Sequence, residues 1–264
     1  MSTKQSFTIV GEHWINGEQP RTFNYLFEYE SSPEIDSKNK ALSRLLFQPW
    51  RMLSSGKHLG VKGLIRLLVL LSVFGILNLY FIAESWYETL FKEDVISRNI
   101  VFASLTVLLG LVMFIVVIYL CYRFLVTEVL HVMYSNNVDF FKSFSGLIVD
   151  KAKVVIQLNS NVSDDEWMKN LDFTEELKSK SIGLNTGLRK VAVFVASRVP
   201  MMDTLNMLHS ELKNDNREVV QDHLFQRMDA FLKDNVFESN STNWVYLLLP
   251  VNLILQIILL AGIS

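Results

Sequence analysis

The chain has 264 residues, of which 50% are hydrophobic, and its formal net charge is -2. A net charge so close to zero gives no electrostatic argument for binding nucleic acids or acidic substrates. The single cysteine, Cys121, excludes an intramolecular disulfide, so nothing in the sequence indicates an oxidising compartment.

Residues 1–36 predict a small cytoplasmic β-hairpin. Two runs rich in aromatic and β-branched residues, Phe7–Ile15 and Thr22–Tyr29, flank the dipeptide Asn16-Gly17, which is a strong hairpin-turn signal. A two-stranded hairpin is only marginally stable in water, so we expect it to pack on the rest of the protein or on a neighbouring subunit. The pattern fits both a cap on its own chain and an edge that recruits a partner strand.

Residues 37–62 predict an amphipathic helix next to the membrane. Apolar residues recur at helical spacing and basic residues lie opposite them. The apolar set is Leu42, Leu45, Leu46, Trp50 and Leu53, and the basic set is Lys40, Arg44 and Arg51. Such a helix suits the membrane surface, where Arg44 and Arg51 would meet anionic headgroups, or the protein's own cytoplasmic domain.

Three stretches carry no charged residue: Leu67–Ala83, Asn99–Tyr122 and Trp244–Ser264. The second and third reach the ~20 residues that a helix needs to cross a bilayer, and the first does so if it begins near Leu64. We therefore predict an all-α membrane protein with three transmembrane helices, a helical cytoplasmic domain and the N-terminal β-hairpin. The domains expected after the amphipathic helix are a two-span transmembrane hairpin over 63–122, the helical cytoplasmic domain over 123–243 and a C-terminal transmembrane helix over 244–264.

The placement of lysine and arginine predicts the orientation. Arg51, Lys57, Lys62 and Arg66 precede the first span, Arg123 follows the second, and the connection over 84–98 is acidic overall. Positive charge favours the cytoplasmic side, so we expect the N-terminus to be cytoplasmic and the C-terminus to lie on the opposite side. The polar N-terminus does not look like a cleavable signal peptide, and the expected location is a cell inner membrane. The charge pattern suits a bacterial inner membrane better than an organelle membrane, which the sequence leaves open.

The third span contains the most distinctive polar residues. Pro250 removes a backbone donor, and Asn252 and Gln256, four positions apart, share a helix face. In hydrocarbon these amides need partners, so they either form interhelical hydrogen bonds, within the chain or between subunits, or line a pore. Asn78 is a candidate partner, and Thr106 with Gly110 forms a small-residue pair that permits close helix packing.

The sequence contains no recognisable catalytic constellation. Its five histidines are scattered, so no metal site or cofactor is expected and an enzyme is disfavoured. Arg217 and His223, with five residues between them, resemble the Arg-x(4–6)-His motif of HEPN-type ribonucleases. That resemblance implies RNA cleavage in which the arginine and the histidine act together on the phosphodiester.

The order of spans and cytoplasmic helices is similar, as architecture alone, to the flagellar-stator and TolQ/ExbB proton-channel families. The Gly-Thr pattern of those families is absent from 247–252. The favoured function is a non-catalytic, oligomeric subunit or scaffold of a membrane complex, and the alternatives are an ion-conducting or membrane-permeabilising oligomer and a membrane-anchored HEPN-like ribonuclease. Expected partners are the lipid bilayer and further copies or other subunits, and nucleic acid is not expected.

Overall fold

The computed structural model describes residues 3–13, 21–45, 63–91, 97–158, 177, 181–182, 186–200 and 216–263. These residues are mostly helical, as the sequence predicts, with a small three-stranded antiparallel sheet. The elements are β1 (Thr3–His13), β2 (Arg21–Ser31), α1 (Pro33–Leu45), α2 (Leu64–Phe91), α3 (Ser97–Ser135), α4 (Val138–Leu158), β3 (Ser181–Ile182), α5 (Thr186–Arg198), α6 (Arg217–Phe231), a π-helical turn (Leu232–Phe237) and α7 (Val245–Ala261).

The chain divides into two compact units. The first, here called the sheet unit, comprises Met1–Gln48 and Val129–Ser239. The second, here called the three-helix unit, comprises Pro49–Glu128 and Asn240–Ser264. Each unit therefore contains two segments that are distant in sequence.

The sheet confirms the predicted hairpin and adds a strand. β1 and β2 pair antiparallel from Thr3 opposite Ser31 to His13 opposite Arg21. Their connection, with the predicted Asn16-Gly17 turn, lies outside the described residues. The strand order is β2-β1-β3, and β3 pairs with Thr8 and Ile9. The sequence did not predict β3, because a two-residue strand shows no alternation.

One face of the sheet packs on α4 and forms the core of the sheet unit. The Phe140 ring lies 5.7 Å from that of Phe7 and 5.2 Å from that of Tyr29, measured between centroids. Phe140, Phe141 and Phe144 are fully buried. The aromatic run at the start of α4 therefore covers the hairpin, which needs such a partner to be stable.

Helix α1 is the described part of the predicted amphipathic helix, of which residues 46–62 lie outside the described residues. Its Leu42 and Leu45 are buried in the sheet unit, where α1 packs on α5. The buried amides of Asn39 and Asn137 exchange hydrogen bonds of 2.9 and 3.2 Å. The described residues of α1 thus pack on the protein's own helical domain, one of the two locations left open by the sequence.

The three-helix unit contains the uncharged stretches. α2 and α3 are long and apolar enough to cross a membrane, and α7, with 17 residues, is a shorter apolar helix. α3 continues to Ser135, well past the end of its uncharged stretch at Tyr122. Apart from Leu26, Val138 and Val219, all the exposed large apolar side chains of the described residues lie on α2, α3 and α7.

Candidate functional site

The facing sides of α2, α3 and α7 carry a set of buried polar side chains, here called the polar seam. The buried residues of α2 from Phe74 to Thr89 and of α3 from Asn99 to Leu125 recur every three or four residues, which is the spacing of closely packed helices. The seam consists of Asn78, Ser85 and Thr89 on α2, Asn99 and Thr106 on α3, and Asn252 and Gln256 on α7. The three-helix unit is therefore apolar outside and partly polar inside.

Asn78 is the point at which the three helices meet. Its Oδ1 accepts a 2.9 Å hydrogen bond from Gln256 Nε2, and its Nδ2 donates to the Phe74 carbonyl oxygen at 2.8 Å. A Cβ atom at Gly110 would lie 3.5 Å from Asn78 Oδ1 and 3.2 Å from Ile82 Cδ1. The absence of a side chain at Gly110 therefore lets α3 approach α2 beside the hydrogen bond between Asn78 and Gln256.

Asn252 lies one turn before Gln256 and is fully buried. Among the described residues, its Nδ2 and Oδ1 have no hydrogen-bond partner, and neither has Gln256 Oε1. The two amides predicted to share a face thus both point into the unit, and one of them bonds to α2 of the same chain.

The other two residues singled out in the predicted transmembrane helices have local roles. The Thr106 hydroxyl is fully buried and donates to the Phe102 carbonyl oxygen of its own helix at 3.0 Å. Pro250 lies inside α7 without ending it, on an exposed face. Because proline lacks an N–H, the carbonyl oxygen of Tyr246 loses its usual helical donor.

The sequence did not single out the other end of the seam. Ser85 and Thr89 are buried near the end of α2, and Asn99 is buried near the start of α3. The Thr89 hydroxyl donates to the Ser85 carbonyl oxygen at 2.7 Å, whereas Ser85 Oγ and Asn99 Oδ1 have no hydrogen-bond partner within the described part of the chain. Ser85 and Thr89 continue the helical spacing of Asn78 past Ala83, where the first uncharged stretch ends, and Asn99 is the first residue of the second stretch. This spacing is the sequence pattern that could have indicated them.

The ribonuclease-like pair lies on α6 in the sheet unit. Arg217 Nε and Nη2 donate to the two carboxylate oxygens of Asp150 at 2.6 and 2.7 Å. This bidentate contact is the main cause of the raised pKa of Arg217. His223, six positions later, lies about 120° around the helix from Arg217. The structure therefore joins Arg217 to α4 and places the two residues on different faces.

A polar groove of about 250 Å³ lies between β2 and α6, above α4. It is lined by Tyr25, Leu26, Glu28, Ser143, Leu147, Asp150, Arg217 and Gln221. Gln221 packs tightly on α4, because a Cβ atom at Gly146 would lie 2.8 Å from its Oε1. The described part of the chain contains no group of three or more histidine, cysteine or acidic residues arranged to hold a metal ion.

Comparisons with protein-family models, with curated proteins and with solved structures return no match for this chain. Its function is therefore inferred from the residues themselves.

Proposed function

We propose that this chain is an integral membrane protein with three transmembrane helices that acts as a non-catalytic, oligomeric subunit or scaffold of a membrane complex. The observation that carries the proposal is the inverted polarity of the three-helix unit. Leucine, isoleucine and valine side chains cover its outside, while Asn78, Asn252 and Gln256 are buried. Large exposed apolar surfaces mark protein or membrane contacts, and buried amides between helices are typical of membrane bundles.

The lengths of the helices agree with this proposal. α2 has 28 residues, and α7 has 17, which is the lower limit for crossing the ~30 Å hydrocarbon core. Trp244 and Tyr246 at the start of α7 suit the headgroup region. The charge pattern supports insertion into a bacterial inner membrane. The sheet unit would then lie in the cytoplasm and the C-terminus of α7 on the opposite side.

The paired charges of the sheet unit support a binding role over a catalytic one. Arg217, the cation of the ribonuclease-like motif, forms hydrogen bonds with the Asp150 carboxylate. Lys142 Nζ lies 3.0 Å from Asp222 Oδ1 and forms a second ion pair. A phosphodiester would have to displace Asp150 to reach the guanidinium. The polar groove instead provides surface for another subunit.

Ion conduction receives less support, because the amides of α7 face α2 within the same unit. A conducting oligomer would show channel currents in planar bilayers that change when Asn252 and Gln256 are both replaced by leucine. We expect no currents from the purified protein.

Membrane extraction and native mass measurement test the proposal. The protein is expected to stay in the membrane pellet after alkaline carbonate treatment and to dissolve only in detergent. In a mild detergent or a lipid nanodisc, its native mass should exceed that of one 30.4 kDa chain. Release by carbonate would overturn the membrane assignment, and a lone chain without a partner would overturn the oligomeric role.

A further inference from the structure

Two amide side chains of α7 place three polar atoms inside the three-helix unit without a hydrogen bond. The atoms are Nδ2 and Oδ1 of Asn252 and Oε1 of Gln256, and both residues are fully buried. None of the three has a hydrogen-bond partner in the described part of the chain. Burying a polar group without a hydrogen bond is destabilising, so native proteins nearly always supply a partner.

The two amides lie near the middle of α7 and far from the start of α2. Gln256 bonds to Asn78, and Leu253, the residue after Asn252, lines an apolar groove together with Val73. α2 and α7 therefore run in the same direction here, and the amides lie about 15–21 Å along α2 from its first residue. Bulk solvent at the helix ends is too distant to supply the missing bonds.

Two ways of pairing these atoms leave one of them unsatisfied. A direct hydrogen bond from Asn252 Nδ2 to Gln256 Oε1, which the four-residue spacing permits, leaves Asn252 Oδ1 without a donor. A bound cation would contact both oxygens but could not accept a bond from Nδ2. Neutral amides also carry no charge to offset the loss of the cation's hydration.

A water molecule matches all three atoms. It can donate to Asn252 Oδ1 and to Gln256 Oε1, and it can accept from Asn252 Nδ2. Buried waters typically make about three hydrogen bonds to polar groups that otherwise lack a partner. The spacing also fits, because Cβ atoms four residues apart on a helix are about 5–6 Å apart, and two atoms bridged by one water are separated by roughly 5 Å.

We propose that the three-helix unit binds one internal water molecule between Asn252 and Gln256. The water contacts the oxygen end of the Gln256 amide, while the nitrogen end donates to Asn78. This site lies within a single chain, so it does not depend on the proposed oligomeric role. Its tests likewise do not depend on the native mass.

Magnetisation transfer from water protons to the Asn252 amide tests the site directly. The full chain is labelled with nitrogen-15 asparagine in a lipid bilayer, and the Asn252 signal is identified by its loss in Asn252→Leu. We expect a cross-peak between water and the Nδ2 protons with the sign of a dipolar contact in rotating-frame spectra, which differs from that of chemical exchange. The matched control is the buried Asn39, whose Nδ2 donates to Asn137 Oδ1, and it should show no such cross-peak.

A crystal structure at a resolution that shows waters gives the second measurement. One density peak is expected within about 3.2 Å of all three atoms. It should be lost in Asn252→Leu, where the larger apolar side chain takes the space of the amide and the water. Exchange of sodium for rubidium should leave the peak unchanged.

Four results would overturn the proposal. A peak that gains anomalous scattering with rubidium would identify a cation. A direct bond between the two amides would leave no place for the water. Equal cross-peaks for Asn252 and Asn39 would indicate general access of solvent, and the absence of both the density peak and the cross-peak would show a dry interior.

Discussion

At the scale of single residues, the most informative contact is the hydrogen bond between Gln256 and Asn78. It joins two helices that are distant in sequence, and both partners are at most 5% exposed. Interhelical hydrogen bonds in membranes contribute about 0.5–2 kcal/mol, because the separated helices find other partners. Asn252, one turn away, is equally buried but gains no such bond.

The two amides of α7 should therefore respond differently to replacement by leucine. Gln256→Leu is expected to lower the free energy of unfolding by about 1–2 kcal/mol, since it leaves Asn78 Oδ1 buried without a donor. Asn252→Leu removes two unpaired polar atoms and should leave stability unchanged or raise it. Thermal unfolding in detergent measures both.

A double-mutant cycle provides the control for this comparison. Adding Asn78→Leu to Gln256→Leu should cost less than the sum of the single substitutions, because the two residues are in contact. Adding Asn78→Leu to Asn252→Leu should be additive. Equal losses for Gln256→Leu and Asn252→Leu would contradict the assigned hydrogen bond.

Tyr29 gives a pH-dependent prediction in the sheet unit. Its burial, together with the neighbouring Asp36 carboxylate, raises the pKa of Tyr29 to about 12. Unfolded tyrosine titrates near pH 10, so between these values the unfolded chain loses a proton that the folded chain keeps. The stabilising contribution is complete below pH 10 and is lost as the pH rises towards 12.

Alkaline unfolding of Tyr29→Phe tests whether stability falls with pH in this direction. The variant should lose less stability than the parent between pH 9.5 and 11, with unfolding followed by the absorbance of tyrosinate. Tyr87→Phe, at an exposed position, is the control and should keep the parent slope. A steeper loss of stability in Tyr29→Phe would show that burial does not protect the neutral phenol.

At the scale of elements, helix crossings in the sheet unit depend on small residues. Gly187 at the start of α5 lies where α1 and α3 come close. A Cβ atom there would lie 2.7 Å from Ser43 Cβ, 2.9 Å from Met133 Cε and 3.3 Å from the Asn39 carbonyl oxygen. The Ser43 and Asn39 contacts involve atoms on or next to the backbone, so the helices have to move apart to make room.

Gly187→Ala should therefore destabilise the sheet unit by about 1–3 kcal/mol, the usual cost of overpacking. Gly75→Ala on α2 is the matched control, because its nearest contact would be an ordinary 3.7 Å to Phe114. Alanine also favours a helix interior more than glycine does, so the control should be neutral or stabilising. Thermal unfolding in detergent, followed by circular dichroism, compares the two variants. Equal melting temperatures would contradict the close helix packing at Gly187.

At the scale of the whole molecule, the two units have opposite polarity patterns. The sheet unit buries aromatic residues such as Phe140 and Phe144, as a water-exposed domain does. The three-helix unit exposes its apolar side chains and buries amides. A single solvent cannot stabilise both patterns, which is why the membrane proposal assigns them to different environments.

The predicted topology is tested by labelling single cysteines with a membrane-impermeant maleimide in intact spheroplasts. In a Cys121→Ser background, Leu90→Cys near the end of α2 should be labelled, and Lys4→Cys on β1 should not. After permeabilisation both should react, which controls for reactivity. Labelling of Lys4→Cys alone in intact spheroplasts would reverse the orientation.

The sequence by itself determined the features that depend on neighbouring residues. Three uncharged stretches predicted α2, α3 and α7, because length and hydrophobicity are local properties. The run over Thr22–Tyr29, rich in aromatic residues, predicted β2. The four-residue spacing of Asn252 and Gln256 showed that they share a face, but not what that face contacts.

Only the tertiary structure decided which distant residues meet. Gln256 bonds to Asn78, Arg217 to Asp150, and β3 to the middle of β1, and each pair is separated by tens of residues or more. Helix propensity and hydrophobic periodicity describe one element at a time. They therefore indicate which polar residues are unusual, but not which residues these contact. The pairing follows from helix packing and strand register, which exist only once the elements are assembled.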